Sequence, residues 1–553
     1  MLTPNSPNGL SSTPKVCKTW LDTIDSSKSL QYIIELECHH LVDGPLGNGL
    51  GTITRLQALL KHEDRWKFLK FTKENIIHAN ITSVHALVKS VLGIVDGKSL
   101  TFCKLPSESS SHSQMITWKF HNLDTIHHFG MDPDQDLLVL IQHLPNVDSQ
   151  QLKLHLRTLS SNELHPQAAS HEIDFTFDIL PACQTQIIDD LVVLFLNPCL
   201  TVIVHWKSGT IQSVLKGSVL CPEKVTILSP RLIAITRCYV DVFRRRAAAL
   251  DVYDISDTDH DADNTLGSNV YPPKHVAILH LPKFMQKDLW SMSVWSDSNP
   301  LSRYTPRHGC AAYPNYQSQE ETAFAAGRGS LLVLGIALVY TRRVEAVVSS
   351  RTSYSGSYNV LVDIDSLLSL DCLRSSPEID VSSTPSKESS KSVTHVPWSQ
   401  WAKFTTWLPA KRFAKSGATV QGDRCCTLVD SNAHGTQVEV LDFNRNRIRR
   451  AECFSPENMP KHSGIQLERK PALRGEHVGL VDGIDINSIP PIAEQFLERD
   501  PIRIPYLESK VTIPFYPDSF EASGVMIDEQ GIILYGRVGR LGSLRMIYRI
   551  FTL

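Results

Sequence analysis

Residues 188–211 read IDDLVVLFLNPCLTVIVHWKSGTI, and this stretch decides the fold class. Asp190–Phe195 and Thr201–Trp206 are apolar runs of strand length, rich in Val, Ile and Leu, separated by a break at Asn197-Pro198. Lys207-Ser-Gly-Thr210 then turns the chain into Ile211, with the glycine supplying the backbone angles a hairpin turn needs. Two strands and a tight turn in so few residues leave no room for a helix.

The same cadence extends in both directions. Asp136–Ile141 precedes Leu152–Arg157, which alternates strictly, and Arg231–Thr236 precedes Ala249–Tyr253. Val276–Leu281, Leu331–Leu334, Asn359–Ile364, Arg424–Val429, Val438–Phe443, Gly531–Tyr535 and Leu544–Phe551 follow. An internal echo runs through them. An acidic or small residue precedes a Leu/Val/Ile run at 134–141, 188–195, 229–236, 327–335 and 528–535. The early spacings match one four-stranded propeller blade and the later gaps are near double that. Many short strands and almost no helix predict a closed or radial β-architecture, which leaves few edges open. The expectation is a mainly β fold: an irregular β-propeller of six to seven blades over residues 71–553, with a pair of β-sandwiches as the structural rival. Polar segments near 105–114, 254–269 and 373–394 are expected to be disordered loops.

The N-terminus is different in kind. Thr13 and Pro14 suit an N-cap and a first helical position, and Val16, Cys17, Trp20, Leu21 and Ile24 fall on one stripe at helical spacing. Ser26-Ser27 breaks the pattern, and Leu30, Ile33 and Ile34 resume an apolar face. Past a Gly-rich connector, Thr52 is expected to cap a further helix, with Ile53, Leu56, Leu59 and Leu60 on one face. Trp66, Leu69 and Phe71 are expected to plug the β-region. The predicted organisation is a helical segment over 1–43, a linker helix over 44–70 and the propeller beyond.

Val16-Cys17-Lys18-Thr-Trp20 followed by Ser29-Leu30-Gln-Tyr-Ile-Ile-Glu-Leu36 resembles the closing half of an F-box, in the manner of fungal F-box proteins with a long β-region. Arg55-Leu56, Trp66, the Pro397-Trp398-Ser-Gln-Trp401 segment, Asp442-Phe443-Asn444, Ile504-Pro-Tyr506 and Asp528-Glu529 are similar to further segments of that family. The resemblance implies a substrate receptor that joins a Skp-type adaptor of a ubiquitin ligase to an unknown protein substrate. Val16, Cys17, Lys18, Trp20, Leu21 and Leu30 would contact the adaptor. The opening Leu-Pro-x-Glu helix of such a box has no counterpart in Met1–Ser12. That departure opens a second reading, a propeller scaffold that binds proteins without a ligase. A propeller enzyme, the third possibility, needs carboxylates gathered at the central channel.

Composition narrows the remaining classes. The chain has 553 residues and a formal charge of -3, which gives no support to general nucleic-acid or membrane-surface binding. Met1–Ser12 does not read as a secretory signal, and no apolar run is long enough for a bilayer. The twelve cysteines have no regular short spacing, so reduced thiols and a cytoplasmic or nuclear setting are expected. No catalytic motif, cofactor loop or metal-ligand spacing is present. Asp257, Asp259, Asp261 and Asp263 alternate, yet Ala262 stands where a calcium loop needs glycine. The arginines at 244–246 and 445–450 read as exposed hairpin tips, as contacts for an acidic partner or as a localisation signal. Trp398, Trp401 and Trp407 read as core packing.

Overall fold

A computed structural model of the chain describes residues 18–43, 50–80, 84–106, 115–121, 123, 126–145, 150–177, 183–196, 200–216, 225–240, 246–256, 273–282, 289–296, 324–326, 331–341, 353–374, 393–409, 419–432, 435–453, 476–481, 506–514, 520–539 and 544–553. Among these residues the strands form seven antiparallel meanders. Blade 1 is Val84–Val88, Val91–Asp96, Ser99–Lys104 and Ile116–Phe120; blade 2 is Ile126–Asp132, Leu137–Pro145, Gln150–Thr158 and Glu172–Phe177. Blade 3 is Cys183–Ile188, Leu191–Leu196, Leu200–His205 and Thr210–Lys216; blade 4 is Val225–Ser229, Leu232–Val240, Arg246–Asp254 and Lys274–His280. Blade 5 is Leu289–Ser296, Leu331–Thr341, Ser353–Asp363 and Thr405–Pro409; blade 6 is Thr419–Gln421, Arg424–Asn432, Gly435–Asp442 and Tyr506–Ile513. Blade 7 takes Glu521–Asp528, Gly531–Val538 and Arg545–Thr552 from the C-terminal end and Lys73–Asn80 from the N-terminal end. The first strand of each sheet touches the first strand of the next all the way round, so the sheets close into a ring. The expected six to seven blades are seven, and the sandwich alternative falls away.

Each junction between neighbouring blades holds one apolar core, seven in all. Successive residues of a strand point to opposite faces, and in this ring both faces are buried. Leu137, Val139 and Ile141 pack toward blade 3 while Leu138 and Leu140 pack toward blade 1. Leu331 and Val333 face blade 6, whereas Leu332 and Leu334 face blade 4. Cys425 and Cys426 likewise enter two different cores. Two-sided burial is why the second strands read as unbroken apolar runs and not as alternating ones. The sequence echo marks those second strands in blades 2, 3, 4, 5 and 7. Gly93 interrupts the run in blade 1 and Cys425-Cys426 that in blade 6, so neither stands out in the sequence.

The acidic residue of the echo has a structural use. Asp528 accepts hydrogen bonds from Ser90 N at 2.8 Å and Ser90 Oγ at 2.5 Å, tying blade 7 to blade 1. Asp136 receives Ser160 N and Oγ at 2.8 and 2.7 Å within blade 2. The hairpin at 207–210 forms as expected, with Gly209 at φ 71°.

Six helices decorate the described ring: α1 (Lys18–Ser26), α2 (Lys28–Cys38), α3 (Thr52–Phe68), α4 (Ile364–Leu368), α5 (Trp398–Trp401) and α6 (Arg445–Cys453). Thr13, Pro14, Val16 and Cys17 lie outside the described residues, as does most of each predicted loop. Gly51, not Thr52, occupies the N-cap of α3. The strand expected to reach Ile364 ends at Asp363, whose side chain accepts from Ser366 N at 3.1 Å and starts α4. From there the chain straps back onto blade 4, where Thr394–Val396 adds a parallel fifth strand to Lys274–His280. Trp398, Trp401 and Trp407 are all buried behind that strap, and Trp401 Nε1 donates to His280 O at 3.0 Å. Core packing is therefore their role. Among the described residues no helix is long and apolar enough to cross a membrane.

Ring closure hangs on Lys73–Asn80, which pairs along its whole length with Arg545–Thr552. Arg549 is buried at 1 % exposure and reaches Glu74 at 2.6 Å across that pairing. Deleting residues 73–80 removes Glu74 and bares an inner strand edge. The expected result is loss of the single cooperative thermal transition in circular dichroism, with aggregation on gel filtration.

Candidate interaction surface on the N-terminal helices

The helices α2 and α3 form a pair with its own small core. Ser27 caps α2, accepting from Leu30 N at 3.4 Å. Tyr32 and Leu36 of α2 pack on Leu56 and Leu59 of α3. Tyr32 donates its hydroxyl to Asp43 at 2.7 Å, and Arg55 holds the same carboxylate at 2.5 Å. Leu41–Asp43 also pairs with Phe324–Ala326. At its far end α3 leads into the ring. Trp66, Leu69 and Phe71 enter the core between blades 6 and 7, as expected, and Trp66 Nε1 donates to Glu529 O at 3.2 Å.

The rest of the junction is ionic. Glu63 on α3 receives Arg447 Nη2 at 3.1 Å and Arg424 Nη2 at 3.0 Å. Arg447 also pairs with Asp442, and Arg424 stacks on Trp66 at 4.6 Å. Glu35 on α2 takes a forked pair of bonds from Arg450 at 2.6 and 2.8 Å. His39 completes the seam: its Nδ1 lies 2.8 Å from Arg447 Nε and 3.2 Å from Glu63, and its Nε2 faces Glu35 at 3.2 Å. His40, at φ 53°, lies 2.7 Å from Asp423. The arginine cluster at 445–450 was expected on exposed hairpin tips or against an acidic partner. It lies on α6, where Arg445, Arg449 and Arg450 are exposed and Arg447 is buried. Arg447 and Arg450 find their acidic partners on the chain's own α2–α3 pair, and Arg445 pairs with Asp363. The adjacent histidines diverge as their spacing requires, but each finds a carboxylate.

These contacts set the protonation of the seam. Burial pushes the Glu35 carboxyl up, yet His39 and Arg450 outweigh it and hold it at about 2. Burial likewise opposes ionisation of Glu63 and Asp442, and Arg447 and Arg424 keep both below the usual carboxylate range. Burial lowers His62 to about 4, so that ring stays neutral. The hydrogen bond to Asp423 raises His40.

Opposite the seam the pair is bare. Trp20 is 64 % exposed, Ile33 60 %, Ile34 42 % and Leu30 37 %. Leu30, Ile33 and Ile34 sit at helical spacing on the face of α2 turned away from Tyr32 and Leu36. Of ten large apolar side chains exposed among the described residues, eight lie between Trp20 and Leu60. Two adaptor-contact candidates are thus exposed, Leu30 on this face of α2 and Trp20 on α1. Val16 and Cys17 lie outside the described residues; Lys18 opens α1, and neither its side chain nor that of Leu21 is described. Ile33 and Ile34 were legible in the sequence only as an apolar stripe. Ile53 and Leu60, expected on the face that packs, are exposed. Among the described residues, no group of three His, Cys, Asp or Glu is placed to hold a metal.

No protein-family model matches the chain, and no curated protein matches it. Among solved structures it is similar to the WD40 domain of SCAP from fission yeast, with 9 % identity, 88 % of this chain and 98 % of that one covered, and a TM-score of 0.31. It is also similar to the C-terminal WD40 domain of Sif2, with 9 % identity, coverage of 86 % and 99 %, and a TM-score of 0.33. The blade count stands on the sheet order and the closed ring of contacts. The chain is a mainly β, seven-bladed propeller that carries an N-terminal helical segment.

The seam makes the helix pair pH-sensitive. Depressed carboxylates contribute stability that is complete above their ordinary value near 4.5 and lost as pH falls toward about 2. His62 adds a loss from its ordinary 6.5 down to about 4. His40 acts the other way, since its raised value means a contribution that fades as pH rises through it. Hydrogen exchange of α2 and α3 should therefore show greatest protection near neutrality, falling below pH 6.5 and steeply below 4.5. Glu63→Gln leaves Arg424 and Arg447 short of charge and should cost about 3–5 kcal/mol of docking. Exchange should then rise in α2 and α3 while the amides of blades 1–4 stay protected.

Proposed function

We propose that this protein is a non-catalytic protein-binding scaffold, with a docking end formed by residues 1–43 and the helix within 44–70, and a propeller body from 71 to 553. The observation that carries the reading is the concentration of exposed apolar side chains on α1–α3. A surface helix is apolar on one face and polar on the other. Helix α2 is apolar on both: one face is spent on α3, and the other, Leu30–Ile33–Ile34, meets water. Contiguous exposed apolar surface marks sites of association, and this spacing is how a helix lays itself into a partner's groove. The polar seam behind it holds the face at a set angle to the ring, which suits a scaffold. Nothing in this arrangement calls for chemistry on the bound partner.

A second, narrower reading has one observation in its favour. Trp20 and Leu30, assigned to a Skp-type adaptor by the F-box resemblance, are among the exposed side chains. On that reading the helices join the adaptor, and the propeller offers an unknown protein substrate to a ubiquitin ligase, contributing proximity. Purified Skp-type adaptor distinguishes the two. Binding to the full chain that Trp20→Ala and Leu30→Ala weaken supports the ligase reading; no binding leaves the scaffold alone. For the scaffold itself, a photoreactive residue at position 33 in cells should give a discrete protein adduct, lost with Ile34→Glu. Equal adducts from position 33 and from Lys98, on the far side of the ring, would sink it. Both substitutions alter exposed positions and should leave the thermal transition within about 0.5 kcal/mol of wild type.

A further inference from the structure

We draw no further inference here: the strongest candidate, the exposed apolar face of α2 formed by Leu30, Ile33 and Ile34, belongs to the docking end already described, and nothing in the structure shows what covers it.

Discussion

Burial of both faces of every blade is the constraint on which the rest depends. A lone four-stranded sheet with two apolar faces would be insoluble. Seven of them in a ring bury each face against a neighbour, and no blade is left at an end. The junction between blades 7 and 1 holds Ala79 beside Leu92, Ile94, Tyr548 and Ile550. That core exists only because an N-terminal strand supplies the fourth strand of the last blade. Closure thus joins the two ends of the chain, and it places the segment before Lys73 against blades 6 and 7. The position of the helices follows from where the ring is sealed.

The two kinds of interface in this molecule differ in chemistry. Between blades it is apolar, tolerant of small shifts and continuous around the ring. Between helices and ring it is a cluster of carboxylates and guanidiniums around Glu63 and Arg447 with Trp66 as an apolar plug. Apolar contacts supply stability but little orientation; forked and shared ion pairs fix geometry, because each oxygen has its own donor. A buried charge without its partner is costly, so the helix pair has one favourable seat. That fixed seat leaves the outer face of α2 pointing away from the ring, open to a partner.

A cavity of about 360 Å³ beside His40 belongs to the same junction. Its walls come from three parts of the chain that meet only because the N-terminal segment returns to the seam of blades 5 and 6.

How much of this was legible before the fold was known follows from the range of the interactions involved. Apolar runs bounded by turns are local, so strand content and the hairpin at Gly209 could be read directly from residues 188–211 and their echoes, and the plug at Trp66 from the end of the helical stretch that begins at Thr52. The blade number was blurred because Gly93 and Cys425-Cys426 break the run in two blades. The helical stripe of α2 was also local and visible. Which of its faces would be covered was not, because Tyr32 and Leu36 are no more apolar than Ile33 and Ile34. Arg447 carried no local sign of burial and Arg450 none of its forked ion pair, since their carboxylate partners Glu63 and Glu35 lie some four hundred residues away on α3 and α2. The sequence by itself therefore determined the elements and their apolar faces, which depend on neighbours a few residues apart. Only the tertiary structure decided which faces are spent inside and which are left for others, because that depends on where a closed ring brings distant charges together.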